Sequence, residues 1–186
     1  MKKVFIIHGF QGRPNTNWFP WLMEELSKEK IYACALPMPT PYEPVKREWV
    51  EIMNFIIKEP DEEVFLVGHS LGVLAILLYL QTLNIKSKIG GAVLVSGPIT
   101  KIEKEDHNLV NNFMSQDFDF NYLKSVCQNF TIIHGDNDPD VPFSDALYLK
   151  EKLGANLISI KDGGHLNGLA GFYKLPAALE AVTAMM

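Results

Sequence analysis

The chain has 186 residues, 47% of them hydrophobic and 21% charged, and 17 lysines and arginines against 22 aspartates and glutamates give a formal charge of −5. This predicts one globular domain, residues 1–186, with enough chain to bury a core, and it excludes a disordered chain, a fibrous repeat or a coiled coil. A mildly acidic chain has no general attraction for nucleic acid, and no apolar run approaches the roughly 18 residues of a membrane span.

Val4-Phe5-Ile6-Ile7 reads as the first strand. It is too short for a signal-peptide core and is interrupted by His8-Gly9. Trp18, Trp21, Leu22 and Leu26 then fall at helical spacing, with Asn17 as N-cap and Pro20 in the first turn. The two tryptophans read as core on this helix rather than as substrate contacts. Residues 31–36 form the second strand and include Cys34, read as a small buried hydrophobe. With Cys127 it makes no disulfide framework, so a reducing, cytoplasmic setting is expected.

After Pro44, the residues Trp49, Ile52, Met53 and Ile56 repeat the helical pattern. Residues 64–67 are the third strand. Residues 71–83 are apolar nearly all round, which predicts a helix buried at the centre of the sheet. Residues 92–95 are the fourth strand. The stretch 97–129 carries the charge run Lys101 to Asp106 and then Phe113, Met114, Phe118, Phe120 and Tyr122. One or two short helices are expected there, over the carboxyl edge of the sheet. Residues 130–133 and 157–160 are the last strands, separated by a helix over 144–153 that Gly154 closes. Leu175, Leu179, Val182 and Met186 mark a final helix.

Short, near-continuously apolar strands alternating with helices predict a parallel sheet of about six strands covered on both faces. Ligands bind such sheets beyond the carboxyl ends of the strands. The segments found there are His8-Gly9-Phe10, Gly68-His69-Ser70-Leu71-Gly72, Asp136-Asn137-Asp138-Pro139-Asp140 and Gly163-Gly164-His165.

Gly68 to Gly72 is G-x-S-x-G, with a strand running in and a helix running out. That context suits a sharp turn that presents a serine hydroxyl to the cleft and leaves the next amide for an oxyanion. A serine nucleophile needs a base, and the base needs an orienting carboxylate. Ser70, Asp138 and His165 occur in that chain order, each in a loop after a strand.

On these residues the chain resembles the alpha/beta-hydrolases, with three layers and no separate lid domain. More narrowly it is similar to the small serine hydrolases grouped with retinoblastoma-binding protein nine and the bacterial YdeN-like proteins. Ile7 to Phe10, Asn17 to Leu22, Leu94 to Gly97, Asp138 to Phe143 and Gly163 to His165 carry the rest of the likeness. The resemblance implies a serine hydrolase acting on small ester or amide substrates. In it the family's D-x-x-V-P acid falls on Asp138 and the base on His165. The oxyanion donors would be the backbone amides of Leu71 and Phe10. Gln11, Pro98 and Phe113 are the candidate pocket residues. Neither a metal nor an organic cofactor is expected.

Three rival readings of the same residues stand beside this one. Asp136 and Asp140 alternate with Asp138 and read as turn residues bonding their own backbone, Asp136 being the next candidate for the acid. A calcium loop over Asp136, Asp138 and Asp140 fails at Val141 and Leu147, which stand where that loop needs Gly and Glu. His8, His69, His134 and His165 raise a metal-assisted hydrolase, but none shows metal-ligand spacing, and the first three read as structural. A partner-binding protein on a hydrolase scaffold is the alternative from a different functional class.

Overall fold

A computed structural model describes residues 1–100, 110, 112–114 and 117–186. Among them, six strands form one parallel sheet in the order β2-β1-β3-β4-β5-β6. The strands are β1 (Lys3–Ile7), β2 (Tyr32–Leu36), β3 (Val64–His69), β4 (Gly91–Val95), β5 (Phe130–Gly135) and β6 (Asn156–Ile160). The helices are α1 (Phe19–Lys28), α2 (Lys46–Ile56), α3 (Leu71–Thr82), α4 (Phe120–Val126), α5 (Phe143–Leu153) and α6 (Pro176–Thr183). The order reverses between β1 and β3, which sit side by side while their crossovers leave in opposite directions. That is the switch point at which an open parallel sheet offers its cleft.

One face of the sheet packs against α2, α3, α4 and α5, around Trp49, Met53, Leu74, Leu77, Leu123 and Leu149. The other packs against α1 and α6, around Trp18, Phe19, Leu22, Ala178 and Val182. The all-round apolarity of α3 has a simple cause. It lies against β3 and β1 and is itself covered by α2 and α4, so every residue from Leu71 to Leu80 is buried. No helix among the described residues is long and apolar enough to cross a membrane.

The central strands β3, β4 and β5 are buried throughout. β2 and β6 are the edges and keep exposed positions. For that reason Cys34, expected to be buried, is half-buried on β2, whereas Cys127 is buried, and both thiols are free.

Two further expectations are corrected. Asn17 does not cap α1: Trp18 is the N-cap residue, and Asn17 takes a left-handed φ of 54°. Phe113 lies wholly in the core with its ring edge-on to that of Trp49, which removes it from the mouth of any pocket. Within 97–129 the helix α4 is present, while the charge run Lys101 to Asp106 lies outside the described residues.

Candidate active site

Ser70 joins β3 to α3 and is held at φ 55° and ψ −124°. A non-glycine residue takes that conformation only where its surroundings fix it. Here they do: the Ser70 amide donates to the Val95 carbonyl at 2.8 Å, and the Val73 amide donates to the Ser70 carbonyl at 2.9 Å. Gly72 lets the turn sit directly on β1, since a Cβ there would lie 2.2 Å from the Ile7 carbonyl oxygen. The loop after β1 also passes closely over the serine, because a Cβ on Gly9 would lie 2.7 Å from the Ser70 Cβ. The Ser70 residue itself is half-exposed.

Asp138 follows β5. Its Oδ1 accepts the amides of Asp140 (2.9 Å) and Val141 (3.0 Å), and its Oδ2 accepts from His165 Nδ1 at 2.8 Å. A carboxylate only accepts, so the His165 proton is on Nδ1 and the lone pair on Nε2. Burial pushes the Asp138 pKa up, but the His165 hydrogen bond and charge and the two amides outweigh it, and the carboxyl sits below its ordinary range.

Asp136 and Asn137 act across loops. Asp136 Oδ1 accepts the Asp162 amide at 2.8 Å, and Asn137 Oδ1 accepts the Gly164 amide at 2.7 Å. The expectation that Asp136 bonds its own turn is therefore corrected: it fastens the loop that carries His165. Asp138, Asp140 and His165 offer ligand atoms within 4.8 Å of one another. A cation there would compete for Asp138 oxygens already engaged by two amides and an imidazole.

The other three histidines among the described residues hold strand ends. His8 Nδ1 donates to the Gly9 carbonyl (2.9 Å) and its Nε2 accepts the Met38 amide (3.2 Å). His134 Nε2 donates to the Val141 carbonyl at 3.1 Å and lies 3.6 Å from Asp138 Oδ2. His69 Nε2 donates to the His165 carbonyl at 2.9 Å. Burial, followed by the His165 charge, drives the His69 pKa down to about 3. Burial also lowers that of His8, partly offset by its bond to the Gly9 carbonyl.

These shifts set an acid limit on the fold. An unfolded histidine takes up its proton near its ordinary pKa of 6.5, while the buried, neutral His69 resists it down to about 3. Its contribution is thus whole above pH 6.5 and is lost as pH falls toward 3, at about 1.4 kcal/mol per pH unit. His8 acts in the same direction, and Asp138 adds a loss below its unfolded value of 3.8. Denaturant unfolding at pH 7 and pH 5 should therefore differ by about 2 kcal/mol or more, and His69→Phe should flatten that slope. Equal stability at the two pH values would contradict the neutral burial of His69.

Of the candidate residues, Leu71 is buried as the first residue of α3, Phe10 is half-buried after β1, Gln11 is exposed and Pro98 is buried beyond β4. A cavity of about 330 Å³ lies further along that last segment, lined by Ile99, Thr100, Met114, Asp117, Phe118, Phe120 and Tyr148.

A family model described as serine hydrolase matches residues 4–184. YdeN of Bacillus subtilis (strain 168), provisionally named a hydrolase, is 31% identical over 183 residues, covering 98% of this chain and 95% of that one. The serine hydrolase RBBP9 of Rattus norvegicus is 24% identical over 149 residues, covering 80% and 77%. The crystal structure of the ydeN gene product superposes over 100% of this chain and 98% of its own, with a TM-score of 0.94.

Proposed function

The chain belongs to the serine hydrolase family, and we propose that it cleaves small ester or amide substrates through Ser70, His165 and Asp138 by way of an acyl-enzyme. The observation that carries this reading is the 2.8 Å bond from His165 Nδ1 to Asp138, in a loop whose His165 carbonyl is held by His69, the residue next to Ser70. It leaves His165 Nε2 unprotonated, as a base must be to take the proton of Ser70.

Ser70 Oγ attacks the substrate carbonyl carbon as its proton passes to His165 Nε2. The imidazolium that forms is stabilised by the ionised Asp138. His165 then gives that proton to the leaving oxygen or nitrogen as its bond to the carbonyl carbon breaks. A water then gives a proton to the same Nε2 and attacks the acyl carbon; the bond to Ser70 Oγ breaks, that proton passes to Oγ, and the acid is released. The carbonyl oxygen gains negative charge in both halves and needs two backbone donors. The Leu71 amide suits one, because the opening amides of a helix have no partner within it. The Phe10 amide suits the other, because Gly9 lies against Ser70.

Hydrolysis of p-nitrophenyl acetate tests this function. Turnover above background that is unchanged by a chelator is the expected result. Turnover lost to the chelator would favour metal-assisted hydrolysis, and none at all would favour a partner-binding role. The substrate class is expected to be small, because ligand cavities are few and small in a chain of 186 residues. Burying each CH₂ is worth about 0.8 kcal/mol only where a groove receives it. In a p-nitrophenyl ester series kcat/KM should fall beyond roughly four to six acyl carbons. A steady rise to long chains would contradict the small-substrate class. Two free thiols, one of them half-buried, fit a reducing cytoplasmic setting.

A further inference from the structure

We propose that His69 and Trp18 are positioning residues for the base: together they hold the main chain at residues 165 and 166 so that the His165 imidazole stays between Asp138 and Ser70. The inference rests on the reading of His165 as the base.

The two side chains donate to successive carbonyls. His69 Nε2 reaches the His165 oxygen at 2.9 Å, and Trp18 Nε1 reaches the Leu166 oxygen at 2.9 Å. Both donors come from distant sequence, 96 and 148 residues away. Leu166 takes a left-handed φ of 50°, so the chain bends sharply just past the base and needs an external hold there. Asn17 adds a third tie, its Oδ1 accepting the Gly168 amide at 2.9 Å. This gives the Asn17-Trp18 pair a use that capping of α1 did not.

The donors are themselves fixed. Trp18 is wholly buried, edge-on to the Phe19 ring at 4.7 Å and to the His69 ring at 6.1 Å. The His69 ring lies 5.0 Å from the His165 ring. Because the His165 carbonyl faces Nε2, the neutral His69 ring that burial favours must carry its proton there. A neutral donor braces His165 without opposing the positive charge that His165 gains in the reaction. A lysine or arginine in its place would oppose it.

Loss of a brace lets the imidazole leave its reactive position, and misplacement on the order of 1 Å is enough to slow an enzyme about 100-fold. The effect falls on kcat, because His69 and Trp18 are buried and present no surface to a substrate. The test uses the full chain and p-nitrophenyl acetate, with folding checked by circular dichroism and thermal melting. His69→Phe keeps the packing and removes the donor. It should lower kcat about 10- to 100-fold with KM within about twofold. His69→Gln, whose amide reaches to the same distance, should restore most of the loss. A folded His69→Phe with the original kcat would overturn the inference, as would a folded His69→Gln no better than His69→Phe. If the position 69 variants do not fold, Trp18→Phe bears the test: a folded variant with the original kcat overturns the inference. Ser70→Ala separates the two levels. Inactive Ser70→Ala with fully active His69→Phe refutes only the positioning role, whereas active Ser70→Ala refutes the reading on which it rests.

Discussion

Ser70→Ala is expected to remove ester hydrolysis down to background. Where a serine of this type carries the covalent step, its loss lowers kcat on the order of 10⁶-fold. The fold should persist. The Ser70 amide and carbonyl make the hydrogen bonds that fix the turn, to Val95 and from Val73, and alanine keeps both. The residue is half-exposed and belongs to neither hydrophobic core. The thermal midpoint should therefore move by no more than the few degrees expected of a change of about 1 kcal/mol. An active Ser70→Ala would put the chemistry elsewhere.

Asp138→Asn is the second large effect, about 10⁴-fold in kcat. The geometry says why. Asp138 Oδ1 accepts two amides, so an asparagine keeps its carbonyl oxygen on that side. Its NH₂ group then faces His165 Nδ1, where the carboxylate had accepted a hydrogen bond at 2.8 Å. Facing a donor, Nδ1 must become the acceptor, and the proton moves to Nε2. Nε2, the atom proposed to take the serine proton, is then unable to accept one. Asp136→Asn retains an oxygen for the Asp162 amide and is expected to lose less than about tenfold. If Asp136→Asn proved the more damaging change, the acid would be misplaced in this account.

The sheet was legible because its central strands are buried on both faces and hence apolar at nearly every position, as in Val64–His69 and Phe130–Gly135. Helix Leu71–Thr82 was legible for the same reason. The strand–turn–helix setting of Ser70 is also local in sequence. What depends on contacts far apart in the chain was not legible. Asn17 has the chemistry of a helix cap, but its oxygen is used by Gly168, 151 residues away. Asp136 has the chemistry of a turn residue, but bonds Asp162. His69 and Trp18 read as a strand-end histidine and a core tryptophan, which they are. Their aim at two successive carbonyls exists only once the sheet brings the first, third and sixth loops together. Phe113 carried no signal separating pocket from core, since an aromatic at helical spacing serves either, and its packing on Trp49 decides the matter.

The central claim is that Ser70 is an activated nucleophile open to the cleft. Reaction of the purified chain with a fluorophosphonate, followed by intact-mass measurement and peptide mapping, tests nucleophile, activation and access at once. The expected result is a single phosphonyl adduct on the peptide that carries Ser70, abolished in Ser70→Ala and slowed strongly in Asp138→Asn. No adduct on the folded protein, or an adduct on another serine with Ser70 unmodified, would contradict it.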